Sequence, residues 1–311
     1  MANITNTDID IYPLNLGGNP FGWTADKDAT FAILDGFKER GGNFVDTADS
    51  YSNWAEGNSG GESEELIGQW LASRKPQNFS VATKSGGLDG VNGRSRRATT
   101  EAVEGSLRRL GVEAIDLFYY HWDDEEVAID EQVAIANDLI EAGKIRYLGL
   151  SNYTPERMRA FFQASEGTSA QPVAMQNQYS LLHRKEFEEG YQPIATEFGA
   201  SVFPYFALAS GMLTGKYRSA DDLSGAARQG MAEGYVSDEA FALIDTLVER
   251  ADEAGAEPAT VALAWLLAKG VTAPVASVSR VDQLDALMAA AELPLSKEDV
   301  EALDAASAPF A

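Results

Sequence analysis

Asp46, Lys84 and His121 each stand at or near the end of a short apolar run, and Tyr51 follows closely after the first of them. A tyrosine phenol, with an ordinary pKa near ~10, is too weak an acid to pass a proton easily at neutral pH. A neighbouring ammonium lowers that value, and a carboxylate keeps the ammonium charged and in place. Asp46, Lys84 and Tyr51 therefore have the makings of a proton relay, with His121 able to donate to a substrate oxygen. Such a site needs neither a covalent nucleophile nor a metal. The chain has no cysteine, and its two histidines, His121 and His183, end different runs, so no Cys or His-rich metal centre is expected. Each residue also has an ordinary role open to it. Asp46 can cap a turn at Thr47, Lys84 can reach from a strand rim, His121 can pack beside Trp122, and Tyr51 can be a surface aromatic. Jointly, however, an acid, a lysine and a histidine that end three successive runs converge on one small volume.

The elements that would position them are legible as alternation. The apolar runs are 14–18, 44–48, 79–84, 115–121, 145–152, 173–179, 201–208 and 272–279, near continuous and rich in Val, Ile, Phe and Tyr. Strands buried on both faces read this way. Amphipathic segments lie between them, at 30–40, 64–73, 100–110 and 131–142. Others start near Thr154-Pro155, Arg184, Ser237 and Val281, with Ser or Thr entries and Gly exits of the kind that cap helices. Eight such repeats in 311 residues predict an α/β chain folded as one (β/α)8 TIM barrel over 1–311. An open doubly wound sheet is the alternative, but no G-x-G-x-x-G follows the first strand. Two helices fall outside the alternation, at 258–269 before the eighth strand and at 296–307 at the C-terminus. The connection from Lys216 to Val236 carries Gly225, Gly230 and Gly234 and reads as a mobile loop. Active sites of such barrels form at the C-terminal ends of the strands, where Ser151, Asn152 and Gln176 join the relay residues.

Composition narrows the partners. A formal net charge of −24 repels nucleic acid and anionic membranes and suits solubility or salt adaptation. An anionic cofactor would then need a local basic cluster to draw it in. The N-terminus, MANITNTDIDIYPLNLGG, has neither a basic nor an apolar signal region, and no apolar run approaches the ~20 residues of a membrane span. A cytoplasmic protein acting on a small molecule is expected, with its oligomeric state open.

The segment Asp46-Thr-Ala-Asp-Ser-Tyr51 resembles the D-T-A-x-x-Y signature of the aldo-keto reductases. Gly61-Glu-Ser-Glu-Glu-Leu-Ile-Gly68 is similar to the helix that follows it there. Lys84 in Ala-Thr-Lys, and His121 after Ile-Asp-Leu-Phe-Tyr-Tyr, match two further positions. Gly149-Leu-Ser-Asn-Tyr153, the stretch Gln176–Arg184, and Leu-Ala-Ser-Gly-Met-Leu-Thr-Gly-Lys216 match later ones, so the resemblance runs in order from about Leu14 to Leu293. It implies a catalytic tetrad of Asp46, Tyr51, Lys84 and His121, with Tyr51 as proton donor. It implies an NADP(H)-dependent oxidoreductase that interconverts carbonyls (aldehyde, ketone or sugar) and alcohols. Ser151, Asn152 and Gln176 would hold the nicotinamide carboxamide and Tyr205 would stack on its ring. Leu208, Gly211, Leu213 and Lys216 would line the pyrophosphate, and Ser277, Arg280 and Gln283 would meet the 2′-phosphate end. Lys216 and Arg280 are cations in an acidic chain, as a 2′-phosphate requires. The chain departs from the family's usual Tyr-Ser-Pro-Leu at Tyr205-Phe-Ala-Leu208, and from its adenine-holding acid and Asn at Ala286 and Leu287. Trp122, Trp54, Trp23 and Phe21 suggest an aromatic-lined pocket, with core packing as the equal alternative. Two other functions remain compatible with the resemblance: a cofactor-binding regulatory subunit with little turnover, and a sugar dehydrogenase working in the oxidative direction.

Overall fold

A computed structural model describes residues 1–224 and 229–311. Eight parallel strands form the sheet: β1 Asn15–Gly17, β2 Phe44–Asp46, β3 Ser80–Ser85, β4 Ile115–Tyr120, β5 Ile145–Ser151, β6 Ala174–Gln176, β7 Ser201–Val202 and β8 Val275–Ala276. From β1 to β7 each strand pairs with the next in sequence order, and β8 pairs back to β1. The last seam is closed by backbone bonds from Thr272 N to Val202 O at 3.0 Å and from Val275 N to Pro204 O at 2.9 Å. The result is the expected (β/α)8 barrel.

Helices α1 Lys27–Glu39, α2 Glu62–Arg74, α3 Arg96–Leu110, α4 Ile129–Glu141, α5 Pro155–Ala164, α6 Gln192–Phe198 and α7 Asp238–Ala254 surround it. Side chains of Asp26, Ser95, Thr154 and Ser237 accept from backbone N–H groups of the first turns of α1, α3, α5 and α7. The two supernumerary helices are α8 Pro258–Ala268 and, after the short α9 Leu284–Met288, the C-terminal α10 Lys297–Ala306. The helix expected to start near Arg184 begins at Lys185, passes through a π turn at Phe187–Tyr191 and continues as α6. An antiparallel pair, Ala2–Asn3 with Asp10–Ile11, precedes the barrel. Part of the long loop predicted over 216–236, residues 225–228 with Gly225, lies outside the described residues. Among the described residues no helix is long and apolar enough to cross a membrane.

Most strands are shorter than the apolar runs. β7 stops at Val202 although the run continues to Leu208, because Pro204 has no N–H to donate and Phe206 takes φ 49°. The chain leaves the ladder there and becomes part of the rim. Period-two alternation then decides which side chains face the lumen. Phe44, Ala82, Leu117, Tyr119, Tyr147, Ala174, Phe203 and Ala273 share an inner cluster with Ile4, Ile9 and Ile11 of the N-terminal pair. Val45, Val81, Phe118, Leu148, Leu150 and Met175 belong to the larger layer beneath the helices. Gly149 faces inward as well; a Cβ there would lie 2.3 Å from the Tyr119 ring, so only glycine lets that ring cross the lumen. Two residues beyond each inner core position, on the same face, stand Asp46, Lys84, His121, Ser151 and Gln176.

Candidate active site

These inward residues meet at one end of the lumen. Lys84 Nζ donates to Asp46 Oδ2 at 2.5 Å and to the Thr47 carbonyl at 2.8 Å, and both side chains of the ion pair are buried. The same ammonium lies 4.5 Å from the centre of the Tyr51 ring, and the Tyr51 hydroxyl donates to Asp46 Oδ2 at 3.4 Å. The His121 ring sits 6.1 Å from that of Tyr51. Gln176 Nε2 completes the carboxylate's shell, donating to Asp46 Oδ1 at 2.9 Å. The acid, amine, phenol and imidazole expected from sequence are thus in one place.

The electrostatics differ from expectation at Tyr51. Its phenol is pushed well above its ordinary value, by burial and then by the adjacent Asp46 carboxylate, rather than lowered by the lysine. Lys84 screens Asp46 but does not outweigh it at the hydroxyl, because the oxygen it contacts also accepts from the phenol. Burial lowers Lys84, opposed by the charge of Asp46 and its hydrogen bond. His121 is held well below its ordinary value by burial and by the positive charges of Lys84 and Arg94, so it is neutral near pH 7. Its Nδ1 is buried without a partner, which leaves Nε2 as the nitrogen able to reach a substrate. The arrangement can hold a proton on a phenol and present a neutral imidazole beside it.

Aromatic side chains form the mouth. Trp122 stacks on His121 at 5.3 Å, Trp54 meets Tyr51 edge-on at 6.2 Å, and Trp23 meets Trp54 at 5.7 Å. Trp54 and Trp122 are exposed, as a pocket lining requires. Phe21 does not line it: that ring is fully buried in the core, and its carbonyl accepts from Ser52.

The residues expected around a nicotinamide are contiguous. Ser151 Oγ donates to the Gln176 carbonyl at 2.7 Å, Asn152 Nδ2 donates to the His121 carbonyl at 2.9 Å, and the Tyr205 hydroxyl donates to Asn152 Oδ1 at 2.8 Å. Asn152 takes φ 54°, which turns its amide across the barrel end. In the following loop Leu208 and Gly211 are part-exposed, with the Gly211 N–H donating to the Leu208 carbonyl at 2.9 Å. Leu213 is fully buried and packs in the core, so its side chain does not line a groove. Lys216 is exposed, lies over the Tyr217 ring at 4.6 Å, and has no ion pair among the described residues. Ser277 Oγ hydrogen bonds with Asn19 at 2.5 Å. Arg280 is exposed and paired with Asp282 at 3.1 Å, and Gln283 Oε1 accepts from the backbone N–H groups of Ser279 and Arg280. Of the two departures at the adenine end, Leu287 is core and Ala286 is part-buried, its carbonyl accepting from Thr260.

A sequence model of the Aldo/keto reductase family matches residues 13–308. The chain belongs to that family. It is 32% identical over 319 residues to norsolorinic acid reductase B of Aspergillus parasiticus, an alignment covering 95% of this chain and 81% of the relative. It is 30% identical to the putative aryl-alcohol dehydrogenase AAD14 of Saccharomyces cerevisiae, over 95% of this chain and 83% of that protein. Among solved structures it is similar to the glycerol dehydrogenase AKR11B4 of Gluconobacter oxydans, with a TM-score of 0.82, 28% identity, and coverage of 99% and 95% of the two chains. The protein is therefore an oxidoreductase of the aldo-keto reductase type.

Sequence reasoning missed what backs Asp46, Tyr51, Lys84 and His121. Glu64, buried on α2, accepts from Thr83 at 2.5 Å and from Arg109 Nε at 2.6 Å. Arg94 is fully buried, donates to the Ser85 carbonyl and lies 4.7 Å from the Tyr120 ring centre. Gly86, at φ 116°, makes room for it, since a Cβ there would lie 1.4 Å from the guanidinium. The Arg94 backbone N–H donates to Asp124 at 2.8 Å, tying the loop after β3 to the loop after His121. Charged residues in loops and on helix faces read as solvent-exposed, so spacing alone does not reveal this second layer.

Proposed function

We propose that this protein reduces aldehyde, ketone or sugar carbonyls to alcohols with NADPH, and that Tyr51 is the proton donor. The observation that carries the reading is the convergence of the Lys84 ammonium and the Tyr51 hydroxyl on one oxygen of Asp46, beside His121. NADPH, held there, would supply the hydride that reduces the carbonyl carbon. Tyr51 holds its proton throughout the neutral range, because burial and Asp46 keep the phenol protonated. It releases that proton only to a strong base, and the alkoxide formed at the carbonyl oxygen is a stronger base than phenolate. Lys84 then stabilises the phenolate from 4.5 Å below the ring. His121, neutral, donates from Nε2 to the same oxygen and orients it. Asp46 fixes the ammonium, and Gln176 and Tyr51 hold the carboxylate in turn.

The chain's own features fit the cofactor. Ser151, Asn152 and Gln176 would meet the carboxamide, and Tyr205 would stack on the nicotinamide. Leu208, Gly211 and the backbone of Leu213 would line the pyrophosphate. There the loop holds Ala209, Ser210 and Gly211 at φ 46°, 56° and 97°, and Ser210 Oγ is buried with no partner. Backbone strain of this kind is maintained where surrounding contacts or a ligand require it. Lys216, without an ion pair among the described residues, is the available cation, and Arg280 with Ser277 and Gln283 would receive the 2′-phosphate by exchanging Asp282 for it. Titrating NADPH and NADH by intrinsic fluorescence, in the parent and in Arg280→Ala, tests the preference. NADPH should bind more tightly, and the margin should shrink in the variant. Equal affinities in the parent, unchanged by the substitution, contradict it.

A further inference from the structure

Asp49 is a buried carboxylate, and neither of its oxygens has a hydrogen-bond partner. It lies in the loop between β2 and Tyr51, and its backbone N–H donates to the Lys84 carbonyl at 2.9 Å, which pins it to the end of β3. The charged groups that act on it or share its surroundings are Lys84 on β3, Asp46 on β2, Glu64 on α2, Arg109 on α3 and Arg94 in the loop after β3. The Gly86 backbone N–H is near enough to favour its charge without closing a hydrogen bond. An unpaired buried carboxylate is costly. Its neighbours are already engaged: Glu64 with Thr83 and Arg109, Arg94 with Ser85. Lys84 is different. It is an ammonium buried to 1% exposure, with a single ion pair, to Asp46, among the described residues.

We propose that Asp49 is a positioning residue of the relay, whose carboxylate supplies the second negative charge that keeps Lys84 an ammonium. It has this role only if Lys84 and Tyr51 form the relay inferred above. The ion pairs Asp46–Lys84 and Glu64–Arg109 are neutral in sum, which leaves Arg94 as an unbalanced buried cation until Asp49 ionises. Burial and then Glu64 push the Asp49 carboxyl up to about 7, with Arg94 and Arg109 pulling it down. Burial lowers Lys84, while Asp46, Asp49 and Glu64 resist. Sites coupled in this way lose protons as a set. As pH rises, the cluster gives up the Asp49 proton first, and the new charge then opposes loss of the Lys84 proton. With an amide in place of Asp49, the first proton shed is that of Lys84, and the Tyr51 phenolate loses its counter-ion.

The test is Asp49→Asn, which keeps the shape and removes the charge. Lysine side-chain NMR of the cofactor-free protein, with Lys84 assigned by its absence from Lys84→Met, reads the ammonium directly. Its midpoint should fall by about one pH unit, the scale of one charge acting through a partly buried site. The alkaline limb of the kcat profile for carbonyl reduction should move down by the same amount. An unchanged Lys84 midpoint in folded Asp49→Asn overturns the proposal. Should the variant not fold, NMR of the parent decides: a Lys84 resonance that shifts as the Asp49 carboxyl ionises supports the linkage, and a Lys84 resonance indifferent to that ionisation overturns it. Because the lysine titration needs no turnover, a shifted Lys84 in a protein without carbonyl reductase activity would overturn the proposed function and leave the Asp49–Lys84 linkage standing.

Discussion

Asp46 and Lys84 form a buried ion pair that adds little net stability, since desolvating two charges offsets most of their attraction. Asp49 is less favourable still, because its charge has no direct partner. Its folded value of about 7 stands above the ordinary 3.8, so between those two the native state holds a proton that the unfolded chain has released. Stability must therefore fall as pH rises through that window, by up to roughly 1.4 kcal/mol per unit of difference for a fully coupled group. Chemical denaturation of the parent and of Asp49→Asn across this range checks it. The variant should gain on the parent as pH rises from the acid end of the window, and hold its advantage above about 7. A constant difference at every pH would mean that folding leaves the Asp49 pKa unchanged.

At the level of elements, the strand-end residues were legible because lumen-facing positions recur every second residue, and Asp46, Lys84 and His121 interrupt apolar strands that have no other use for polarity. The helices were legible from their caps. The lengths of β6, β7 and β8 were not, because a long apolar run does not reveal where Pro204 or a residue of positive φ ends the ladder. Nor were Glu64, Asp49 and Arg94, whose burial depends on how α2 and α3 pack. Gly68 on α2 governs that packing. Alanine inside a helix is ordinarily better than glycine by roughly 0.5–1 kcal/mol. Here, however, a Cβ would lie 2.2 Å from the Arg109 carbonyl, so α2 and α3 would have to separate. Gly68→Ala should therefore lose stability by about 1–3 kcal/mol, the usual cost of overpacking. It should also loosen the Glu64–Arg109 contact. A melting temperature equal to or above the parent's would show that the helices yield without cost.

Across the whole molecule, charge dominates. At a formal net −24 the folded surface repels itself, and compactness concentrates that repulsion. Many acids are paired with nearby arginines, among them Asp8 with Arg146 and Asp35 with Arg74, but 48 acids face only 24 lysines and arginines. Salt screens interactions longer than a Debye length, about 10 Å at 0.1 M, while leaving the buried Asp46–Lys84 contact largely untouched. Added sodium chloride should raise the melting temperature over the sub-molar range, without changing the Tyr51-dependent chemistry. A melting temperature that falls with salt would mean that specific surface ion pairs outweigh the net repulsion. The composition made this property legible. It carried no information on the substrate.

The proposed chemistry turns on Tyr51 giving the proton. Tyr51→Phe removes one oxygen and keeps the ring on which Lys84 and Trp54 pack, so folding should survive. Cofactor binding should survive as well, since Ser151, Asn152, Gln176 and Tyr205 come from other strands and loops. The decisive measurement is steady-state carbonyl reduction by Tyr51→Phe with NADPH, beside a fluorescence titration of NADPH on the same preparation. NADPH affinity should be unchanged while turnover falls by roughly 10²–10⁴, the usual contribution of a positioned general acid. A variant that binds NADPH and turns over within about threefold of the parent, far inside that range, would show that the proton comes from another group.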